Sequence, residues 1–539
     1  MTRLELLLAL LGACTLEAAI FTPEQDADIQ SYIEKVLECR NIPGLSIAVV
    51  KGEKSWARGF GFEDLETRQP VENTTHFLVG SLTKSMTMTL LGHYLETRRL
   101  NWDTKLIDIE PKRSYQLEQF AFQDNDTTNQ VTVADLLTHQ TGVSAAGDYG
   151  LIAGYPEGTN RNDLAWKIRY IPQTYKFRER FYYTSMMYVV LGHLTEMLGE
   201  RSWEKLMMSK FFKPIGMTSS FILEDSDKVF ENGFAKPYIL RNGQLEPGTK
   251  GIYGLAPGEP TGGVVSTGLD MVKWMRFNLK NGETEQGRQL MKPEMMGQAF
   301  QEQLKFPDEM VKDSSFRTPI FPVDDVITGF GYAWYTSTYR GYRRLLTNGN
   351  MFSYTSSIWM FPEKNIAMFA SINGPQFPGT DIFIKTVLWY LSDILLGETP
   401  WLNIDTACSF PKPWVTPPTF PDIPASPVYE NEYLADYVGN YVSNLLPAVV
   451  IAFKEDGSPK PTLRFEMGRI KGDLWPTSTS NRLDFEVTEP WELAIQHVVS
   501  DTYTKRYPVF FQSSDGKVTS GFVMLTEAGV SVPFRKTSI

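Results

Sequence analysis

Cysteine is nearly absent from this 539-residue chain: Cys14, Cys39 and Cys408 are too few for a disulfide framework or a four-cysteine zinc or iron–sulfur site. Histidine is almost as sparse. His76, His93, His139, His193 and His497 show no metal-ligand spacing and there is no Asp-rich run, so no metal and no organic cofactor is expected. Positive charge is in deficit, with 52 Lys and Arg against 63 Asp and Glu for a net −11. Without a positive field to attract phosphate backbones, nucleic acid is not an expected partner. No run beyond the amino terminus is long and apolar enough to span a bilayer, and there is no tandem repeat. What remains is a globular composition: 42% hydrophobic, 13% aromatic and 21% charged residues supply a large core and exclude a disordered chain.

The first residues read as a secretory leader. Arg3 is followed by Leu6–Ala13 and then by small residues at Ala18 and Ala19, so residues 1–19 are expected to be a signal peptide and the protein to be secreted. A buried N-terminal helix and a lipoprotein processing site at Leu11-Gly12-Ala13-Cys14 are the alternatives. The sequons at Asn73 and Asn125 are candidate glycosylation sites that suit export. Loss of the leader removes Cys14 and leaves Cys39 and Cys408, either as a disulfide or as two buried thiols.

Length alone allows three to four domains, but pattern reduces the number. A helix from Thr22 to Cys39 precedes a hairpin of Leu45–Val50 and Ser55–Phe62, and Ser81–Thr97 has helical spacing with Met86, Leu90, Leu91 and Tyr94 on one side. Thr132-Val133-Ala134-Asp135 reads as a capping box. Strand character returns at Gly331–Thr338, Arg343–Thr347, Thr355–Phe361 and Ile366–Ile372, before a helix from Asp381 to Leu396. Seven prolines between Pro411 and Pro427 predict a stiff linker, residues 410–430, followed by a small antiparallel β domain over 431–539. The expected fold class is therefore α/β of the α+β kind: an antiparallel sheet flanked by helices, with a helical subdomain inserted in its middle, and an appended β domain.

One serine stands out for chemistry. A serine hydroxyl needs a nearby base, and Ser81-Leu82-Thr83-Lys84 places an amine one helical turn from a hydroxyl at a helix start, where free N–H groups suit an oxyanion. The spacing also occurs at Ser202/Lys205, Ser409/Lys412 and Ser514/Lys517, so position decides: Ser81 alone follows a β-like run and Gly80.

Five further strings follow in order: Ile42–Val50, Leu136-Leu137-Thr138-His139-Gln140-Thr141-Gly142, Pro214-Ile215-Gly216-Met217, Gly262–Thr267 and Gly329–Trp334. With Ser81 and Lys84 they resemble the serine β-lactamase and penicillin-binding-protein family, in its class C β-lactamase and D-alanyl-D-alanine carboxypeptidase branch, over about residues 24–396. The resemblance extends the catalytic-type domain over residues 20–409. It implies an acyl-enzyme at Ser81, with Lys84 and Tyr183 moving protons. Tyr183 stands in the family's Tyr-x-Asn motif, where Ser185 replaces asparagine. The third motif aligns with Thr347-Asn348-Gly349, and the N–H groups of Ser81 and Asn350 would form the oxyanion hole. Threonine at 347 carries no positive charge, so recognition of a substrate carboxylate should be weak, whereas ester or amide hydrolysis is less affected. The resemblance also implies that the first and last helices of the large domain lie side by side, bringing Cys39 to Cys408. The expected partner is a small-molecule or peptide substrate. The rival reading is a non-catalytic extracellular scaffold associated with matrix, since secreted animal members of the family include mollusc shell matrix components.

Overall fold

A computed structural model of the chain describes residues 19–109, 120–241, 243–312, 321–375, 381–414, 434–454, 463–479, 481–488, 506–514, 517–524 and 531–537. Residues 1–18 of the expected leader, with Cys14, lie outside the described residues, as do His497, 415–430 of the expected linker and 431–433 of the expected β domain.

Helix α1 (Pro23–Arg40) opens where the sequence supplies a cap. The Thr22 hydroxyl accepts from Gln25 N–H, the Gln25 side chain accepts from Thr22 N–H, and Pro23 occupies the first turn. Strands β1 (Gly44–Lys51), β2 (Lys54–Asp64) and β3 (Gln69–Pro70) follow. The chain then leaves the sheet for a mostly helical excursion containing α2 (Thr83–Thr97), α3 (Ala146–Ala153), α4 (Met186–Gly199) and α5 (Gly268–Leu279). It returns through β4 (Leu304–Lys305), β5 (Asp325–Phe330), β6 (Tyr335–Tyr339), β7 (Tyr342–Met351), β8 (Tyr354–Phe361) and β9 (Ile366–Ile372). Helices α6 (Asp381–Leu396) and α7 (Ile404–Ser409) close the domain. The nine strands order as β3-β2-β1-β9-β8-β7-β6-β5-β4, antiparallel throughout.

Both faces of this sheet are covered, which is why β1, β8 and β9 are buried almost throughout and keep no side facing water. In β1, Ala48 and Val50 join the core with α2, α4 and α5, whereas Leu45, Ile47 and Val49 join a second core with α1 and α6. On that second face Cys39 of α1 is disulfide-bonded to Cys408 of α7, across 369 residues of chain.

Two expectations needed adjustment. The strand expected over Gly331–Thr338 begins only at Tyr335, because Gly331–Trp334 reverses the chain: Gly331 N–H donates to Trp334 O (2.7 Å) and Ala333 takes φ +63°. Tyr332 and Trp334 are buried from this turn, which mimics strand alternation in the sequence. Strand β5, just before it, was not anticipated. The capping box at Thr132 and Asp135 is present.

The carboxyl-terminal residues form a closed eight-stranded antiparallel barrel from β10 (Gly439–Val442) to β17 (Ser531–Lys536), which pair with each other at Tyr441 and Lys536. Its third and fourth strands, β12 (Leu463–Met467) and β13 (Ile470–Pro476), alternate buried and more exposed residues. Their inward side chains meet in a filled interior where the Phe465 and Phe485 rings lie 4.4 Å apart.

Candidate active site

Ser81 sits in a single 3₁₀ turn, Gly80–Leu82, that runs directly into α2. Gly80 makes the turn feasible: its φ is +54°, a region that side-chain-bearing residues avoid. Strand β7 passes close by. A Cβ placed on Gly349 would lie 2.0 Å from Val79 O and 3.0 Å from Ser81 N, so only glycine lets the strand approach the serine turn. One placed on Gly80 would lie 3.0 Å from Asn350 N. The backbone amides of Ser81 and Asn350 are thus brought to one locality by two glycines.

Two groups converge on the serine hydroxyl. Lys84 Nζ donates to Ser81 Oγ at 3.0 Å, and Tyr183 OH donates to the same oxygen at 3.2 Å. Lys84 Nζ also donates to Thr261 O at 2.8 Å and lies 5.1 Å from the Tyr183 ring centroid. Burial pulls the Lys84 ammonium down to about 7, with the negative charge of Asp148 opposing the fall. Burial pushes the Tyr183 phenol well above its ordinary range, keeping it protonated, with the Ser81 hydrogen bond opposing. Neutral Lys84 is accordingly suited to accept a proton at neutral pH, and Tyr183 to hold and donate one.

Asp148, unremarked in the sequence, anchors the segment that carries the tyrosine. Its carboxylate accepts from Ser185 N–H (2.8 Å), Met186 N–H (3.1 Å) and the Thr184 hydroxyl (3.0 Å), covering free amides at the start of α4. Burial raises its carboxyl, while these donors and Lys84 resist. His139 packs its ring 4.3 Å from that of Tyr183 and accepts from Thr184 N–H; burial keeps it neutral. Neither residue belongs to a spacing pattern with Ser81; His139 lies in one of the family strings, but its packing on Tyr183, like the role of Asp148, is visible only in the folded chain. Thr261, whose carbonyl fixes Lys84, was equally hidden. It lies in the Glu259–Thr261 turn, where buried Arg161 binds Glu259 (2.7 Å), Glu196 (2.5 Å) and Glu204.

These groups open on a cavity of about 470 Å³. Ser81, Lys84, Tyr183, Ser185, Thr347 and Asn350 all line it, whereas Gly349 shapes the approach of β7 to Ser81. Ser185 gives its backbone N–H to Asp148, and Thr347 stands in β7 opposite Ile358. The remaining wall is largely apolar, with Ala145, Leu151, Ile152, Leu255, Phe330 and Phe352. Among the described residues lining the cavity, Lys84 is the one cation. Ser202 of the competing Ser-x-x-Lys pairs instead caps a helix by accepting from Lys205 N–H. The sequon residue Asn125 is exposed and Asn73 half-buried, its carbonyl accepting from Leu269 N–H. Among the described residues no group of three or more His, Cys, Asp and Glu is arranged to hold a metal ion, and no helix is long and apolar enough to cross a membrane.

The Beta-lactamase family model matches residues 29–388, well over half of the chain, and the chain belongs to that family. It is 25% identical over 396 residues to unguisins hydrolase ungD' of Aspergillus campestris, covering 70% of this chain and 67% of that one. Among solved structures, the octameric penicillin-binding protein homologue from Pyrococcus abyssi is similar across 95% of this chain and 100% of its own, with a TM-score of 0.56 and 20% identity. A class C β-lactamase from Rhodobacter sphaeroides is similar over 68% of this chain and 99% of its own, with a TM-score of 0.50 and 19% identity. These likenesses establish the β-lactamase-like fold, with the barrel included in the first of them.

Proposed function

We propose that this protein is a secreted serine hydrolase that cleaves an ester or amide through an acyl-enzyme at Ser81. The observation that carries the reading is the convergence of Lys84 Nζ and Tyr183 OH on one hydroxyl oxygen. Lys84, neutral above about pH 7, removes the proton as Ser81 Oγ attacks the carbonyl. The amides of Ser81 and Asn350 hold the oxyanion. Tyr183 passes its proton to the leaving group and is reprotonated by the Lys84 ammonium, and water then releases the acyl group by the reverse path. Secretion is supported by the leader pattern and by a disulfide that suits an oxidising compartment.

The preferred substrate lacks a carboxylate beside the scissile bond. Thr347 offers a hydroxyl where the family pattern has a cation, Lys84 is engaged with Ser81 and Thr261, and Asp148 adds negative charge behind them. The relative in Aspergillus is named a hydrolase, which agrees with hydrolysis here. Turnover of p-nitrophenyl acetate and of a chromogenic cephalosporin tests both halves. Ser81-dependent turnover of the ester is expected, with kcat/KM for the carboxylate-bearing lactam about 10–100-fold lower, the value of a missing charged hydrogen bond. Equal turnover by Ser81→Ala would refute the nucleophile, and efficient lactam hydrolysis would refute the substrate preference.

A further inference from the structure

One side chain of the barrel reaches segments that line the substrate cavity. Gly468 and Arg469 form the turn between β12 and β13 and insert against two segments of the large domain. Arg469 Nη1 donates to the carbonyls of Gly251 (3.2 Å), Ile252 (3.2 Å) and Gly254 (3.0 Å), while Nη2 donates to Gly254 (3.0 Å) and Leu151 (3.3 Å). Its backbone N–H donates to Ala153 O at 2.7 Å. Gly468 has φ +55°, and a Cβ there would lie 2.3 Å from Ala153 O, so the turn fits closely against the end of α3. A guanidinium is suited to this place because its planar fork carries five donors that can serve several carbonyls at once.

The two segments held in this way share one surface. Helix α3 contributes Leu151 and Ile152 to the cavity that contains Ser81, and the loop after Gly254 contributes Leu255. Neither segment belongs to the nine-stranded sheet. They also pack on the turn that fixes Lys84: Cβ atoms placed on Gly258 and Gly262 would lie 2.7 Å from Leu151 Cδ2 and 3.1 Å from Leu255 Cδ1. We infer that Arg469 is a positioning residue that sets substrate specificity: from the barrel it fixes the Leu151–Ile152–Leu255 wall, which receives an apolar acyl group of the substrate. The inference rests on the serine hydrolase reading of Ser81.

The test uses the full-length protein and its Arg469→Gln and Arg469→Lys variants, with p-nitrophenyl acetate and p-nitrophenyl octanoate as substrates. In R469Q the octanoate-to-acetate ratio of kcat/KM should fall about tenfold, the scale of a lost methylene contact or two in a pocket. The fall should lie in KM for the octanoate, with kcat for the acetate retained, and R469K should fall between R469Q and wild type. A merely structural role would lower both esters in proportion to the folded fraction and leave the ratio unchanged, and that result overturns the inference. If R469Q does not fold, an unchanged ratio in R469K overturns it. Failure of the wild type to turn over either ester in a Ser81-dependent way would instead remove the hydrolase reading itself, and the inference with it.

Discussion

At the scale of residues, the pair Ser81 and Lys84 was legible because a hydroxyl and its base one helical turn apart leave a spacing in the sequence, and Tyr183 because its neighbours match a family string. Asp148 and Thr261 left no such trace. One acts through backbone amides and the other through a carbonyl, and any residue type can present a carbonyl. Their effect is nevertheless electrostatic and testable. The titratable groups facing Lys84 are Asp148, Tyr183, Tyr188 and His139, of which the two tyrosines stay protonated and the histidine neutral. Activity that needs neutral Lys84 is lost as pH falls through about 7, so kcat/KM should show an acid limb there. Asp148 raises the Lys84 value, so Asp148→Asn should move the limb to lower pH while reducing kcat, because the Tyr183 segment loses part of its anchor. A limb that stays in place would separate Asp148 from the base. Replacing Lys84 by Met should abolish turnover yet leave the melting temperature unchanged or higher, since a buried amine is exchanged for an apolar side chain of similar length.

At the scale of elements, the hairpin β1–β2, the helices α1 and α6 and the last two strands of the sheet followed from periodicity and turn residues. The Gly331–Trp334 reversal did not, since aromatic residues buried from a turn copy the alternation of a strand. The inserted region hides a more consequential element, the Glu259–Thr261 turn. It carries the carbonyl that holds Lys84, and Arg161 secures it from a different helix. The charge arrangement is buried, with Arg161, Glu196 and Glu259 each less than a tenth exposed, so removing the cation strands carboxylates without water. Arg161→Met should cost about 3–5 kcal/mol in urea unfolding and lower kcat through the loosened turn. A variant with wild-type stability would show that the cluster does not hold the turn.

At the scale of the whole molecule, the β character of the last hundred residues could be read from alternation and turn residues. Closure of the barrel and its contact with the catalytic-type domain could not, because strand register and distant pairing leave no local signal. The disulfide joins the two ends of the large domain on the sheet face opposite Ser81, so its stabilising and catalytic effects should separate. Reduction should lower stability by about 2–4 kcal/mol in denaturant titration while the rate of ester turnover below the melting transition stays unchanged. The central claim, that Ser81 is acylated, is tested most directly by intact-mass measurement of protein quenched in acid during turnover of p-nitrophenyl octanoate, followed by peptide mapping. The account predicts a mass increase of one octanoyl group, located on the peptide containing Ser81 and missing from Ser81→Ala. Turnover with no adduct, or an adduct on any other residue that persists in Ser81→Ala, would contradict it.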